Sequence, residues 1–339
     1  MDLSYQSSQL RLNYQFTVAS SSKKVAENVF VTLRHNHQVG FGEAAPSYFY
    51  HESPATIGRF LDAIRHELGN DPRSVDEIMS RLEKKYAGNY AAKAAINMAL
   101  YDLIGKESSA PVYKLFGISL TRPLVTSFTI GIDSLEVIRE KVLAAQHFPI
   151  LKIKLGTPYD YEIIETIRRM TKKPLRIDAN EGWTKDEAVE KINWLATQNV
   201  ELVEQPLLAD DLEGMKWIHE RVHLPVFADE SLRTSSDLEK LVGAFDGVNI
   251  KLMKCGGLTE AVRMVEKARQ LNLKTMLGCF IESSLGITAG SHIAPLFDFL
   301  DLDGALLIKS DPFRGVQITN GQLALPDGFG LGVELIGFE

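Results

Sequence analysis

Cysteine is scarce in this chain: Cys255 and Cys279 are the only two among 339 residues. Two thiols cannot build the framework of a disulfide-stabilised secreted domain, and a reducing, cytoplasmic setting is expected. Also lacking is any apolar run near the ~18 residues of a spanning helix, and the N-terminus has no basic-then-apolar signal pattern. Positive charge is not in excess. Lysine and arginine total 37 against 44 acidic residues, a net charge of −7, so neither nucleic acid nor an acidic membrane surface is an expected partner. What remains is an ordinary globular composition, 45% hydrophobic and 24% charged. The chain is long enough for a large core and two domains.

The two halves are patterned differently. Leu10, Leu12, Tyr14 and Phe16 alternate with polar residues, and 28–34 and 39–43 continue in that style around a turn at His35-Asn36-His37, which predicts a small antiparallel sheet. Ser53-Pro54 is a helix start, Ser74 with Glu77 reads as a capping box, and 89–106 is an alanine-rich helix with Ala92, Ile96, Leu100 and Leu103 on one stripe. Residues 1–118 therefore read as an α+β module. From Pro123 onward strand and helix patterns alternate. Strands are expected at 125–130, 150–155, 175–178, 200–204, 226–229, 248–251, 274–279 and 299–303, and eight such repeats favour a closed parallel barrel. That assigns 119–310 to the barrel. The tail, 311–339, is rich in turn residues and is expected to return to the N-terminal module.

Five of those strands end on a chargeable residue: Lys154, Asp178, Glu204, Asp229 and Lys251, at steps of 24, 26, 25 and 22 residues. One step holds a strand, a helix and two loops, so the five converge at one end of the barrel. Any of them alone would more often be a solvated strand end or a helix cap. Together, three carboxylates without a cation would repel one another, and a hard divalent ion resolves the conflict. All-oxygen ligation points to Mg²⁺, with Mn²⁺ next. Lys152 and Lys154 lie two apart and share a face, which the apolar Leu151, Ile153 and Leu155 leave as the barrel interior. Burial there disfavours the charged form, and a lowered pKa makes a lysine a usable general base. Lys254, past the end of the strand of Lys251, is expected to be solvated.

The set Lys152-Ile-Lys154, Asp178-Ala-Asn180, Glu204-Gln-Pro206, Asp229-Glu-Ser231 and Asn249-Ile-Lys251 resembles the muconate-lactonising subgroup of the enolase superfamily. Gly42-Glu-Ala-Ala-Pro46, 94–102 and Gly256-Gly257 extend the resemblance over nearly the whole chain. It implies an N-terminal α+β capping domain, completed by the C-terminal tail, on a modified TIM barrel, (β/α)₇β. It also implies that Lys154 and Lys251 work on opposite faces of a bound carboxylate, with the metal and Lys152 stabilising the enediolate. The same site serves cycloisomerisation, dehydration, racemisation and epimerisation, so the reaction stays open at this point.

Asp301-Leu-Asp303, ending the eighth strand, narrows it: two carboxylates opposite a metal suit a substrate ammonium group. In this the chain looks like the dipeptide epimerases, and 278–287 resembles their seventh-strand segment. The resemblance implies Thr129, Cys279 and Ile281 as further substrate contacts and an L-Ala-D/L-Glu dipeptide, from cell-wall peptides, as substrate. Ala-Glu epimerases of this type carry an arginine after the first strand, where this chain has Ser21; Lys23 or Lys24 would have to supply the charge. The alternatives are another activity of the superfamily (o-succinylbenzoate synthase, N-acylamino-acid racemase or cycloisomerase) and a barrel that binds a metal or carboxylate without catalysis. A homo-oligomer is left open.

Overall fold

A computed structural model describes residues 1–338. The N-terminal sheet is an antiparallel meander of β1 (Asp2–Val18), β2 (Ser21–His35) and β3 (Gln38–Ala44). Its first pairing is broken by an irregularity between Arg11 and Phe16. The expected alternation fails there: Leu10 is buried, but Tyr14 points to solvent at 57% exposure. A bulged strand twists away from its partner and re-aims the residues that follow, here towards the mouth of the barrel.

Helix Pro54–Ile64 starts as predicted, with Ser53 and Thr56 each accepting from the other's backbone N–H. Ser74 makes no such bond, so the capping box predicted with Glu77 is absent. Helix Tyr90–Glu107 is buried all round rather than along one stripe. One side packs so tightly on β3 that a Cβ at Gly42 would stand 1.9 Å from Ala95 O. From the other, Asn97 Nδ2 donates to Thr259 Oγ1 of the barrel at 2.8 Å. A helix clasped between two layers has no polar face to spare, which explains its alanines.

The expected first barrel strand divides in two. β4 (Leu124–Val125) leaves the barrel, and β5 (Phe128–Ile130) begins it. The barrel continues through β6 (Leu151–Lys154), β7 (Leu175–Asp178), β8 (Val200–Glu204), β9 (Val226–Ala228), β10 (Gly247–Lys251), β11 (Lys274–Gly278) and β12 (Phe299–Asp301). These eight are parallel neighbours in chain order. The ring is nearly closed where Ser127 N donates to Leu300 O at 3.4 Å. This is an enolase-type modified TIM barrel beneath an α+β cap.

In the tail, β13 (Phe313–Arg314) pairs with β16 (Glu334–Leu335), and β14 (Gln317–Thr319) with β15 (Gln322–Ala324), which adds to β4. Phe313 and Phe338 pack on Phe30 of the cap, and Leu331 N donates to the buried Asp102 at 2.8 Å. The return to the N-terminal module is thus observed, together with an unforeseen second attachment at β4.

A buried carboxylate fixes the cap over the barrel. Glu43, at the end of β3, accepts from Ser283 N and Oγ and from Gly286 N at 2.9, 2.6 and 2.9 Å. These donors open helix Ser284–Ile293, where backbone N–H groups and the helix dipole favour an anion.

Candidate active site

Register brings the predicted residues together. Lys154, Asp178 and Glu204 are successive partners across β6, β7 and β8, and Lys251, Gly278 and Asp301 across β10, β11 and β12. Above them, a cavity of ≈ 430 Å³ is lined by Thr129, Lys152, Lys154, Asp229, Lys251, Cys279, Ile281, Asp301 and Asp303, among others. Asp178 and Glu204 are wholly buried beneath it. In an eight-stranded ring β6 and β10 are four places apart, so Lys154 and Lys251 face each other across the mouth.

Asp178, Glu204 and Asp229 each offer an oxygen, and these atoms lie within 4.8 Å of one another. Glu204 is aimed by Asn249, whose Nδ2 donates to its Oε1 at 2.7 Å. Gly278 leaves room for this, since a Cβ there would lie 2.4 Å from Asn249 Oδ1. Glu204 Oε2 has the Lys152 ammonium 2.7 Å away but no hydrogen bond of sound geometry. Asn180 Oδ1 and Glu230 Oε2 are likewise buried without a donor. A buried acceptor with no donor is costly, and such a surplus fits a cation. The all-oxygen set suits Mg²⁺.

The charges are interlocked. Lys152 Nζ lies 2.7 Å from Asp301 Oδ2 and 3.1 Å from Asp178 Oδ2. Lys154 donates to Asp178 Oδ2, and Lys251 to Asp229 Oδ2, both at 2.6 Å. At Lys152 the expectation that burial lowers the lysine is reversed. Burial does oppose the charge of Lys152, but Asp301, Glu204 and Asp178 outweigh it and hold the ammonium well above the usual lysine range. Lys251 is raised in the same way, against burial, by Asp229 and Glu204. Burial, with Asp178 beside it, pushes Glu204 up.

Lys254 overturns its prediction. It is 1% exposed, and its ammonium donates to Asp229 Oδ1, Asp229 O and Asn249 O at 2.5, 2.6 and 3.0 Å. The short helical turn Leu252–Cys255 carries it back under the strand end, which spacing along a strand cannot reveal.

The two aspartates of β12 differ. Asp301 is engaged by Lys152 and by Ser127 Oγ at 2.6 Å, and those donors hold it at about 2 against its burial. Asp303 accepts from Thr129 N and has no cation partner among the described residues; burial and Asp301 push it up to about 7. Cys279 donates to Asp301 O, with Sγ 3.2 Å away, and burial raises its thiol well above the usual range.

The cap closes the cavity. Ser20, Ser21 and Lys23 come from the β1–β2 hairpin, and Tyr48, Phe49 and Tyr50 from the loop after β3. Thr17 O accepts from Ile132 N at 2.9 Å, docking the hairpin on the barrel. The aromatic loop was not picked out from the sequence, because only the tertiary fold brings it over the strand ends. No helix is long and apolar enough to cross a membrane, among the described residues.

Residues 4–117 match the family model for the mandelate racemase / muconate lactonizing enzyme N-terminal domain, and 136–337 the enolase C-terminal domain-like model. The chain belongs to this family, the mandelate racemase / muconate lactonizing enzymes of the enolase superfamily. It is similar to the L-Ala-D/L-Glu epimerase of Bacteroides thetaiotaomicron, 42% identical over 96% of this chain and 85% of that protein. The L-Ala-D/L-amino acid epimerase of Pedosphaera parvula is 38% identical, over 98% and 99%. Among solved structures, the dipeptide epimerase of Cytophaga hutchinsonii complexed with Mg and D-Ala-L-Val has a TM-score of 0.93 at 29% identity, over 98% of this chain and 95% of that one. All three relatives are epimerases, a class of isomerase, and Mg is the ion in the solved complex.

Proposed function

We propose that this chain is a Mg²⁺-dependent dipeptide epimerase that inverts the C-terminal residue by two-base proton transfer. The observation that carries the reading is the pair Lys154 and Lys251, facing each other across a cavity floored by three carboxylates. A cation bound to Asp178, Glu204 and Asp229 would neutralise them, loosen their hold on the lysines and polarise a substrate carboxylate. Lys154 and Lys251 are assigned the proton transfers, one as free amine removing the α-proton and the other as ammonium returning one to the opposite face. Lys152 is assigned a fixed positive charge beside the carboxylate. Asp303, which has no cation partner among the described residues, is assigned the substrate's N-terminal ammonium, with Asp301 behind it; Thr129, Cys279 and Ile281 complete the wall. An ammonium in contact would hold Asp303 ionised.

The finer reading is L-Ala-D/L-Glu, drawn from cell-wall peptides. It is supported by the Bacteroides relative and by Lys23, a half-buried rim lysine with no acidic partner among the described residues, whose pKa burial lowers. The test is a dipeptide library incubated with Mg²⁺ in D₂O and read by mass spectrometry. Deuterium is expected at the C-terminal α-carbon of L-Ala-L-Glu above all; exchange confined to apolar dipeptides would remove the acidic preference, and exchange in no dipeptide would remove the function. An N-acylamino-acid racemase needs no ammonium pocket, and the same library extended to N-succinyl and N-acetyl amino acids separates it.

A further inference from the structure

Lys154 and Lys251, opposed across the cavity, each have a companion lysine. Lys154 donates to one acceptor, Asp178 Oδ2, and on the same oxygen sits Lys152, which is surrounded by three carboxylates. Across the barrel, Lys251 donates to one acceptor, Asp229 Oδ2. The other oxygen, Oδ1, belongs to Lys254, which has three acceptors in all. An ammonium carries three donors. Lys254 is therefore saturated, Lys152 is held among its three carboxylates, and both are 1% exposed, whereas Lys154 and Lys251 each keep donors to spare at the cavity wall. Each side of the site pairs one immobilised lysine with one lysine free to reach a substrate.

We propose that Lys254 is a positioning residue for Lys251: by occupying Asp229 Oδ1 it fixes the carboxylate so that only Oδ2 is offered to the cavity side. Without it, Asp229 can turn and present both oxygens to Lys251. A lysine clasped by both oxygens of a buried carboxylate is tethered away from the substrate. The Asn249 carbonyl strengthens the assignment, because Asn249 also aims Glu204; one short segment thus orients two of the three carboxylates. The effect is one-sided, since Lys154 and Asp178 make no bond to Lys254.

This inference rests on the epimerase reading, and the experiment separates the two. Both stereoisomers of L-Ala-Glu are incubated with Mg²⁺ in D₂O, and α-proton exchange is followed by NMR for wild type, Lys251→Ala and Lys254→Met. The isomer served by Lys251 is the one whose exchange Lys251→Ala abolishes. Lys254→Met should slow exchange of that isomer at least ~10-fold more than the other, the range typical when a residue that orients a ligand is lost. An equal loss in both isomers, or no loss, overturns the proposal. A crystal structure of Lys254→Met decides it independently of turnover: Asp229 should be turned onto Lys251, and an unmoved Asp229 overturns the proposal. Should the methionine variant not fold, Lys254→Gln, which keeps one donor under Asp229, should show the same one-sided loss at smaller size. If wild type exchanges neither isomer, the epimerase reading falls and the crystal structure alone judges the role of Lys254.

Discussion

At the floor of the cavity, Lys152, Lys154, Asp178, Glu204, Asp229 and Lys251 are all buried, and every one is held by at least one partner of opposite charge. At its rim, Tyr48 and Phe49 stand 72% and 50% exposed, and Lys23 has no acidic partner among the described residues. The floor is locked by strand register and by neutralising pairs that would be costly to break singly. The rim hangs on loops, where substitutions cost little stability. That contrast explains how one floor can serve several reactions while the rim selects a substrate.

The comparison can be broken hardest at the floor. Stripping divalent cations with EDTA should lower epimerisation by about 10³-fold or more, since such ions supply several kcal/mol of charge stabilisation, and Mg²⁺ should restore it. Intact activity in EDTA would remove the metal from the account.

A second expectation concerns the joint between cap, barrel and tail. His292 is buried, receives Tyr113 N at Nδ1 and meets Leu331 O at Nε2, and burial pushes its pKa down to about 4. The unfolded chain binds a proton near pH 6.5 and the folded chain only near 4. Stability is therefore complete above pH 6.5 and is lost as pH falls from there towards 4, by about 3 kcal/mol for this group. Denaturant melts should show that decline, and His292→Gln should flatten it.

Between floor and rim lies Asp303. Asp303→Asn should lower kcat/KM for a free dipeptide by about 10–100-fold, the worth of a charge-assisted hydrogen bond, and should leave N-acetylated analogues unchanged. Equal losses on both would mean that Asp303 does not contact the ammonium. The smallest change is expected at the rim. Lys23→Met should cost about 10-fold on L-Ala-L-Glu, roughly one ion-mediated contact, and next to nothing on L-Ala-L-Val. Parallel losses on the two dipeptides would assign Lys23 a structural role.

Much of the floor was legible because barrel strands repeat: a chargeable residue closing each strand needs only the strand-helix period to be placed. Lys254 was misread since the chain bends into a helical turn directly after Lys251, and no periodicity marks a side chain that folds back. Val125 was assigned to the barrel on propensity, whereas its partner, Gln322, lies almost two hundred residues away. The rim was legible in part. Ser21 and Lys23 were singled out through the family resemblance, but the Tyr48–Tyr50 loop carries no local motif. Its position over the cavity comes from the way Glu43 ties the cap to helix Ser284–Ile293.

The two opposed lysines are the centre of the account, and isotope exchange in the single variants tests them most directly. With Mg²⁺ in D₂O, Lys154→Ala and Lys251→Ala should each fail to interconvert L-Ala-L-Glu and L-Ala-D-Glu. Each should still exchange the α-proton of one stereoisomer, and the two variants should retain opposite ones. If either variant still interconverts the isomers at near-normal rate, or both retain exchange of the same isomer, the two-base scheme is wrong.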